Sequence, residues 1–175
     1  MLPVDDLLAT FNQGIGLNRA VRDVLCNALA VPDDLYVEVP VNTDGTPQSS
    51  GFTCNRTVSD AEIFALAKLS VPRPDFIFGS SPPKSDKGGF PKTWLIGEIK
   101  ATTKTLYADY ISPGSNPAQF FAILNYAKKH TYTRTALFVT GVKGDKPPPD
   151  AVVIGEIGKS ALKLGVIPVV VRIVD

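Results

Sequence analysis

Glu98 and Lys100 are two residues apart in the apolar segment 94–101, which is predicted to be a β-strand. Side chains at this spacing leave the same face of a sheet, so a carboxylate and an ammonium would lie side by side. Asp75 belongs to the preceding apolar segment, 73–78, and a hairpin would bring its carboxylate beside Glu98. Two neighbouring carboxylates repel each other, so a cation is expected between them; Lys100 supplies one positive charge and a divalent metal would supply more.

The tripeptide Glu98-Ile99-Lys100 carries little information by itself, because such a triplet occurs by chance in about every other chain of this length. Its setting is more informative. Pro74 and Asp75 open one apolar segment, a turn-rich stretch follows at 80–92, and the triplet lies inside the next apolar segment. The alternative interpretation is a surface ion pair on an edge strand.

These residues resemble the PD-(D/E)xK nucleases, a superfamily that includes restriction endonucleases, Holliday-junction resolvases and bacterial toxin domains. Pro74-Asp75 matches the first half of the family motif, and Glu98-Ile99-Lys100 matches the second. The helix and strand predicted next, at 117–129 and 135–140, follow in the order of the family core. The resemblance covers residues 73–140.

The resemblance implies an α/β fold of the restriction-endonuclease-like kind, a three-layer sandwich in which helices flank a central mixed β-sheet. The whole chain, 1–175, would then form one domain. Its core would span about 17–140, and 141–175 would be a C-terminal strand and helix extension.

A mechanism is implied as well. Asp75, Glu98 and the main-chain carbonyl of Ile99 would hold Mg²⁺ or Mn²⁺ through hard oxygen ligands. The metal would bind a phosphate oxygen, lower the pKa of a water molecule and stabilise charge on phosphorus. Lys100 would orient or deprotonate that water and offset the developing negative charge.

Relatives often add an acidic residue from the first core helix. Two predicted helices are candidates for that place, 17–29 with Asp23 and 59–69 with Glu62, and both remain open.

Substrate contacts are expected from the helix after the motif and from basic side chains. Gln119 would face the site if this helix packs as in relatives, and Tyr126 follows it by seven residues, a wider spacing than the usual four. Contacts to a phosphate backbone, or equally a solvated face, are expected of four basic residues: Lys104, Lys128, Lys129 and Arg134.

Composition sets the broad class. The chain has 175 residues, of which 44% are hydrophobic and 20% are charged, so it can bury one domain core. A net charge of +1 excludes a generally basic coat, but residues 84–146 carry ten basic against four acidic side chains. Cys26 and Cys54 are expected to be free thiols, and His130, the only histidine, excludes a multi-histidine metal site.

Hydrophobic periodicity and turn residues place the elements that would position this site. Asn116 is a plausible N-cap, and Trp94 and the phenylalanines at 76, 78, 120 and 121 are expected in the core. Residues 102–115 are ambiguous, and a short helix is expected around Ala161. The predicted helices are 17–29, 59–69 and 117–129, and the predicted strands are 35–41, 73–78, 94–101, 135–140 and 166–174.

The functional interpretation is a Mg²⁺-dependent endonuclease that hydrolyses phosphodiester bonds, with DNA as the expected nucleic acid, acting as a bacterial toxin or effector. A toxin would need a cognate immunity protein in its producing cell; a homodimer is also left open. The alternatives are a repair or junction-resolving nuclease and a non-catalytic binding module. No signal peptide and no membrane-spanning stretch are visible, so a cytoplasmic protein, or one delivered into the cytoplasm of a target cell, is expected.

Overall fold

The computed structural model describes residues 34–53, 70–141 and 148–173, together with Ala61 and Ala65. The predicted helix 17–29 lies outside these residues, and within 59–69 only the two alanines are described, both in helical conformation. The strands of the described chain are β1 (Leu35–Val37), β2 (Phe52–Thr53), β3 (Phe76–Phe78), β4 (Thr93–Lys100), β5 (Thr131–Gly141) and β6 (Ile167–Ile173). Its helices are α1 (Thr103–Tyr110), α2 (Pro117–His130) and α3 (Asp150–Leu164).

The six strands form one mixed sheet in the order β2-β1-β3-β4-β5-β6. The first four strands in this order pair in antiparallel fashion, whereas β5 pairs in parallel with both β4 and β6. Parallel neighbours need a crossover connection. Here α1 and α2 connect β4 to β5, and α3 connects β5 to β6.

Local sequence signals explain where the crossover helices begin and end. Thr102 caps α1, because its hydroxyl accepts a hydrogen bond from the N–H of Thr105 at 3.1 Å. Pro117 opens α2, where its fixed φ fits the helix and its missing N–H costs nothing. α3 ends at Gly165, whose φ of +67° is the left-handed conformation that favours glycine.

The sheet buries apolar side chains on both faces. On one face, Ile77, Ile96 and Phe138 join the buried side chains of all three helices in one core. Alternation along the strands turns Phe76 and Ile99 to the opposite face, where they are also buried. The fold is therefore α/β with a mixed six-stranded sheet, an arrangement compatible with a three-layer sandwich.

The segment after residue 141, expected as an extension, is built into the same sheet. β6 pairs with β5 from Ile167 to Ile173. α3 spans 15 residues, longer than the short helix expected there, and buries Val153, Ile157 and Ala161 in the shared core. No helix of the described chain is both long and apolar enough to cross a bilayer.

Candidate active site

Asp75 and Glu98 are brought together by the antiparallel pairing of β3 with β4. The register sets Phe76 opposite Gly97, so Asp75, just before β3, lies beside Glu98. Two main-chain N–H groups donate hydrogen bonds to these carboxylates. The N–H of Asp75 donates to Oε2 of Glu98 at 3.2 Å, and the N–H of Ile99 donates to Oδ2 of Asp75 at 2.6 Å.

Both carboxylates are buried, with Asp75 6% and Glu98 4% exposed. Burial raises the pKa of Glu98 well above its ordinary value, and the neighbouring negative charge of Asp75 raises it further. Lys100 and the N–H of Asp75 lower the pKa of Glu98, but by less than burial and Asp75 raise it. The pair is therefore short of positive charge.

Lys100 projects from the same face of β4 as Glu98, as the spacing predicts. Its Nζ lies 3.3 Å from Oε1 of Glu98 and 2.9 Å from Oδ2 of Asp109. Burial alone would lower the pKa of Lys100, but Glu98 and Asp109 more than offset this and the pKa is raised. Lys100 is thus held as an ammonium between two carboxylates.

Asp109 is the residue of this cluster that the sequence did not indicate. It lies in the last turn of α1, inside the segment that was ambiguous, and it also accepts a hydrogen bond from the Ser115 hydroxyl at 2.9 Å. Lys100 and Ser115 lower the pKa of Asp109 more than burial raises it, so the carboxylate is ionised at neutral pH. The signal that could have located it is Thr102, because threonine is favoured at the N-cap, the position that starts α1.

Tyr110 and Gln119 close the cluster on the helix side. The Nζ of Lys100 lies 5.1 Å from the centroid of the Tyr110 ring, within the range of a cation–π contact. The Tyr110 hydroxyl donates to Oε1 of Gln119 at 3.1 Å, and Nε2 of Gln119 donates to the Arg73 carbonyl at 3.3 Å. Burial, then the charges of Glu98 and the two aspartates, raises the pKa of Tyr110, so its hydroxyl stays protonated.

The donor set fits a hard divalent cation. When ionised, Asp75, Glu98 and Asp109 carry three negative charges against the single charge of Lys100, a costly imbalance at a buried site. The N–H and C=O of one extended residue face the same neighbouring strand, so the carbonyl of Ile99 is directed toward the side of Asp75. Within the described ranges, no group of three or more His, Cys, Asp or Glu side chains has the arrangement of a metal site. The candidate metal ligands are therefore only the two carboxylates of Asp75 and Glu98 and the carbonyl of Ile99.

Only some of the remaining predicted site residues lie at the cluster. Asp23 and Glu62 lie outside the described residues. Gln119 is at the cluster, and the exposed Lys104 follows the end of β4 in the first turn of α1. Tyr126 is remote from Gln119, because its hydroxyl lies 3.0 Å from that of Thr93 at the start of β4.

Three of the four basic candidates lie at the far end of the sheet. Lys128 and Lys129 are in the last turn of α2, a helix about 20 Å long whose first turn carries Gln119. Arg134 precedes Thr135, which pairs with Leu95 near the start of β4, whereas the carboxylates lie near its end. The structure therefore does not bring these three side chains to the carboxylates.

Two aromatic residues expected in the core are exposed. Trp94 is 41% exposed near the start of β4, and Phe121 is 44% exposed on the outer side of α2. Phe76 and Phe120 are buried as predicted. Asn116 does precede α2, but its side chain makes no cap; it donates to Oε1 of Gln119 at 2.7 Å instead.

The chain was compared with known protein families, with curated proteins and with solved structures. None of these comparisons gave a match. The function is therefore inferred from the geometry of the cluster.

Proposed function

We propose that the chain is a metal-dependent nuclease that hydrolyses phosphodiester bonds of DNA, on a fold of the restriction-endonuclease-like three-layer kind. One observation carries the proposal. Asp75 and Glu98, both buried, meet on the face of the sheet from which Lys100 also projects. A buried pair of acids can hold a hard cation, and a lysine beside them can orient water, which together suit phosphodiester hydrolysis.

Each residue of the cluster has a distinct role in this proposal. Asp75, Glu98 and the Ile99 carbonyl would hold Mg²⁺ or Mn²⁺. When bound, the metal supplies Lewis-acid activation of a phosphate oxygen and of water. Lys100 donates hydrogen bonds as an ammonium, and so orients the attacking water and offsets charge on the phosphate.

The exposure of the side chains indicates the direction of approach. The side chain of Lys100 is 14% exposed and that of Asp109 is 24% exposed, whereas Asp75 and Glu98 are nearly closed off. Substrate would therefore meet Lys100 first, with the carboxylates behind it. Lys104 lies just beyond the end of β4 and is the basic candidate that would contact the phosphate backbone there.

A plasmid-nicking assay tests the proposal. Supercoiled plasmid is incubated with the protein in Mg²⁺ or Mn²⁺, with and without EDTA. We expect relaxation and linearisation that EDTA abolishes. Replacing Asp75 by Asn or Lys100 by Met should slow the reaction by at least about 100-fold. Asp86, an exposed acid in the connection between β3 and β4, provides the matched control, and Asp86→Asn should keep the wild-type rate.

Two results would contradict the proposal. Equal cleavage by the wild type and by Asp75→Asn would show that the activity does not depend on this cluster. Absence of cleavage with every divalent metal and with both supercoiled and single-stranded DNA would favour the non-catalytic binding module.

The toxin role rests on the resemblance and on the small size of the domain alone. It predicts that expression of the chain in bacteria stops growth and fragments chromosomal DNA, and that Asp75→Asn relieves both effects. A cognate immunity protein would restore growth without that substitution. A repair nuclease would instead be tolerated by its host cell.

A further inference from the structure

A row of aromatic and basic side chains, most of them exposed, lies at the end of the sheet opposite the carboxylates. Its members are Phe90, Lys92, Trp94, His130 and Tyr132, and together they are called the aromatic–basic surface. Tyr132 is 64%, Phe90 42% and Trp94 41% exposed. None of these residues takes part in the candidate active site.

The rings are arranged in contact with one another and with a cation. The Trp94 and Tyr132 ring centroids are 5.3 Å apart, and the Nζ of Lys92 lies 6.0 Å from the centroid of Tyr132. At the other end of the row, the Phe90 and His130 rings are 5.5 Å apart. Exposed rings beside an ammonium group can receive stacked bases and phosphates at the same time.

A β-bulge turns part of this row outward. Thr93 pairs with Thr131, but the next pair is Leu95 with Thr135, so residues 132–134 of β5 lie opposite Trp94 alone. Arg134 adopts a φ of +49° there, which is unusual for a residue with a side chain. Bulges of this kind re-aim side chains, and Tyr132 and Arg134 are both exposed as a result.

The charge around the row is positive. Lys128 and Lys129 lie in the last turn of α2 before His130, and Arg134 lies two residues after Tyr132. His130 lies within reach of one carboxylate, that of Asp44, which its hydrogen bonds from Thr46 keep in the charged form, and of two ammonium groups, those of Lys129 and Lys92. The balance of charge there is positive, which favours a polyanion that carries flat, stackable groups.

We propose that the aromatic–basic surface binds single-stranded nucleic acid. Bases stack on Trp94 and Tyr132, and backbone phosphates contact Lys92, whose Nζ lies over the Tyr132 ring. A duplex keeps its bases stacked inside and cannot use the exposed rings in this way. The single strand is therefore the preferred ligand.

This inference goes beyond the proposed nuclease and does not depend on it. Trp94 and Lys100 are six residues apart on β4, or about 20 Å. Binding at the aromatic–basic surface needs no metal and no cleavage, so EDTA separates the two activities. If both proposals hold, this surface grips a strand several nucleotides away from the scissile bond.

The chain offers a direct probe, because Trp94 is its single tryptophan. A 15-nucleotide oligothymidylate is titrated into the protein in EDTA at low salt, and tryptophan emission is followed. We expect quenching that saturates, and a 15-base-pair duplex that binds at least about tenfold more weakly. Tyr132→Ala, at a mostly exposed position, should weaken single-strand binding by roughly tenfold.

Salt dependence tests the phosphate contacts. The logarithm of the binding constant should fall with the logarithm of the salt concentration, and Lys92→Ala should reduce that slope by about 0.7. Lys159→Ala is the matched control, because Lys159 is an exposed lysine of α3 that pairs with Glu156 and is not a member of this surface. It should leave both the affinity and the slope unchanged.

Three results would overturn the inference. They are tryptophan emission that does not change with oligonucleotide, a duplex that binds as tightly as the single strand, and a Tyr132→Ala variant with wild-type affinity. Asp75→Asn serves as the further control. It should bind like the wild type, and a loss of binding would contradict the separation of the two surfaces, whatever the outcome of the nicking assay.

Discussion

The ammonium nitrogen of Lys100 lies 2.9 Å from the carboxylate of Asp109, closer than its 3.3 Å distance from Glu98. The lysine of the cluster is thus fixed by the helix that follows its own strand. A cation that enters between Asp75 and Glu98 would compete with Lys100 for Glu98, and Asp109 would keep the ammonium in place. We therefore expect Asp109 to be a positioning residue for Lys100 in the proposed reaction.

Asp109→Ala should lower the nicking rate by about tenfold, because Lys100 loses its closest partner while the carboxylate pair stays intact. The measurement is the initial rate of plasmid nicking at saturating Mg²⁺. Ser115→Ala is the matched control, since it removes the hydrogen bond to Asp109 but leaves the ion pair, and its effect should be at most about threefold. A wild-type rate for Asp109→Ala would contradict the positioning role.

Glu98 should make the metal-free protein less stable as the pH rises. Its pKa in the folded state is raised, by burial first and by Asp75 second, above an ordinary value near 4.5. The contribution of a protonated Glu98 is therefore fully present below about pH 4.5 and is lost as the pH rises through the folded-state pKa.

Glu98→Gln stays neutral and should escape this loss. In EDTA at pH 7–8 it should be more stable than the wild type by on the order of 1 kcal/mol, or about 3 °C in Tm, and the difference should vanish near pH 4. Thermal melts from pH 4 to pH 8 measure this. Glu156→Gln, at an exposed ion pair on α3, should show no such trend. If the wild type became more stable relative to Glu98→Gln as the pH rises, the predicted direction of the pH dependence would be wrong.

Mg²⁺ should stabilise the wild type by binding the folded state. At a metal concentration ten times its Kd, the expected gain in the free energy of unfolding is about 1.4 kcal/mol, or about 4 °C in Tm. Asp75→Asn should lose this gain. Melting curves at increasing Mg²⁺ measure it without any catalytic readout, and equal shifts in the two proteins would place the metal elsewhere.

Gly97→Ala should destabilise the fold. A Cβ at this position would lie 2.1 Å from Cζ of Phe76, a ring that is 1% exposed and packs directly over the glycine. Overpacking of this kind costs about 1–3 kcal/mol. Gly155→Ala is the control, because nothing lies within 4 Å of the position that its methyl group would take on the outer side of α3, and it should add up to about 1 kcal/mol of stability.

Chemical denaturation of both glycine variants measures these changes in the free energy of unfolding. Replacing Phe76 by Leu in the Gly97→Ala background should recover part of the loss, since it removes the atoms that the new methyl group meets. Equal stability of Gly97→Ala and the wild type would contradict the close packing.

Local periodicity was sufficient to predict the pairing of β3 with β4 and the shared face of Glu98 and Lys100. Both follow from the two-residue repeat of a strand and from the apolar character of these segments. The ion pair with Asp109 could not be predicted in this way. It depends on where α1 begins and on how α1 packs against β4, and only three of its eight residues are buried, so the helix has a weak apolar pattern.

The distance of the basic residues from the site could not be predicted either, for a related reason. Sequence order puts Lys128 and Arg134 shortly after the site residues, but a parallel crossover carries the chain back to the start of β4 before β5 begins. Trp94 shows the same limit. Its position in β4 assigns it to a face of the sheet, but periodicity does not show how far the helices cover that face.

The connection between β3 and β4, residues 79–92, has a practical consequence. β3 leads away from Asp75, and β4 returns toward Glu98, so the two carboxylates sit at the open end of the hairpin and the connection sits at its closed end. Gly88 is exposed there, and nothing lies within 4 Å of the position that a side chain would take. A side chain at Gly88 itself would be strained, because its φ is +78°, so a dye or a surface anchor is better introduced at the exposed Lys87 beside it, where it would leave both carboxylates undisturbed.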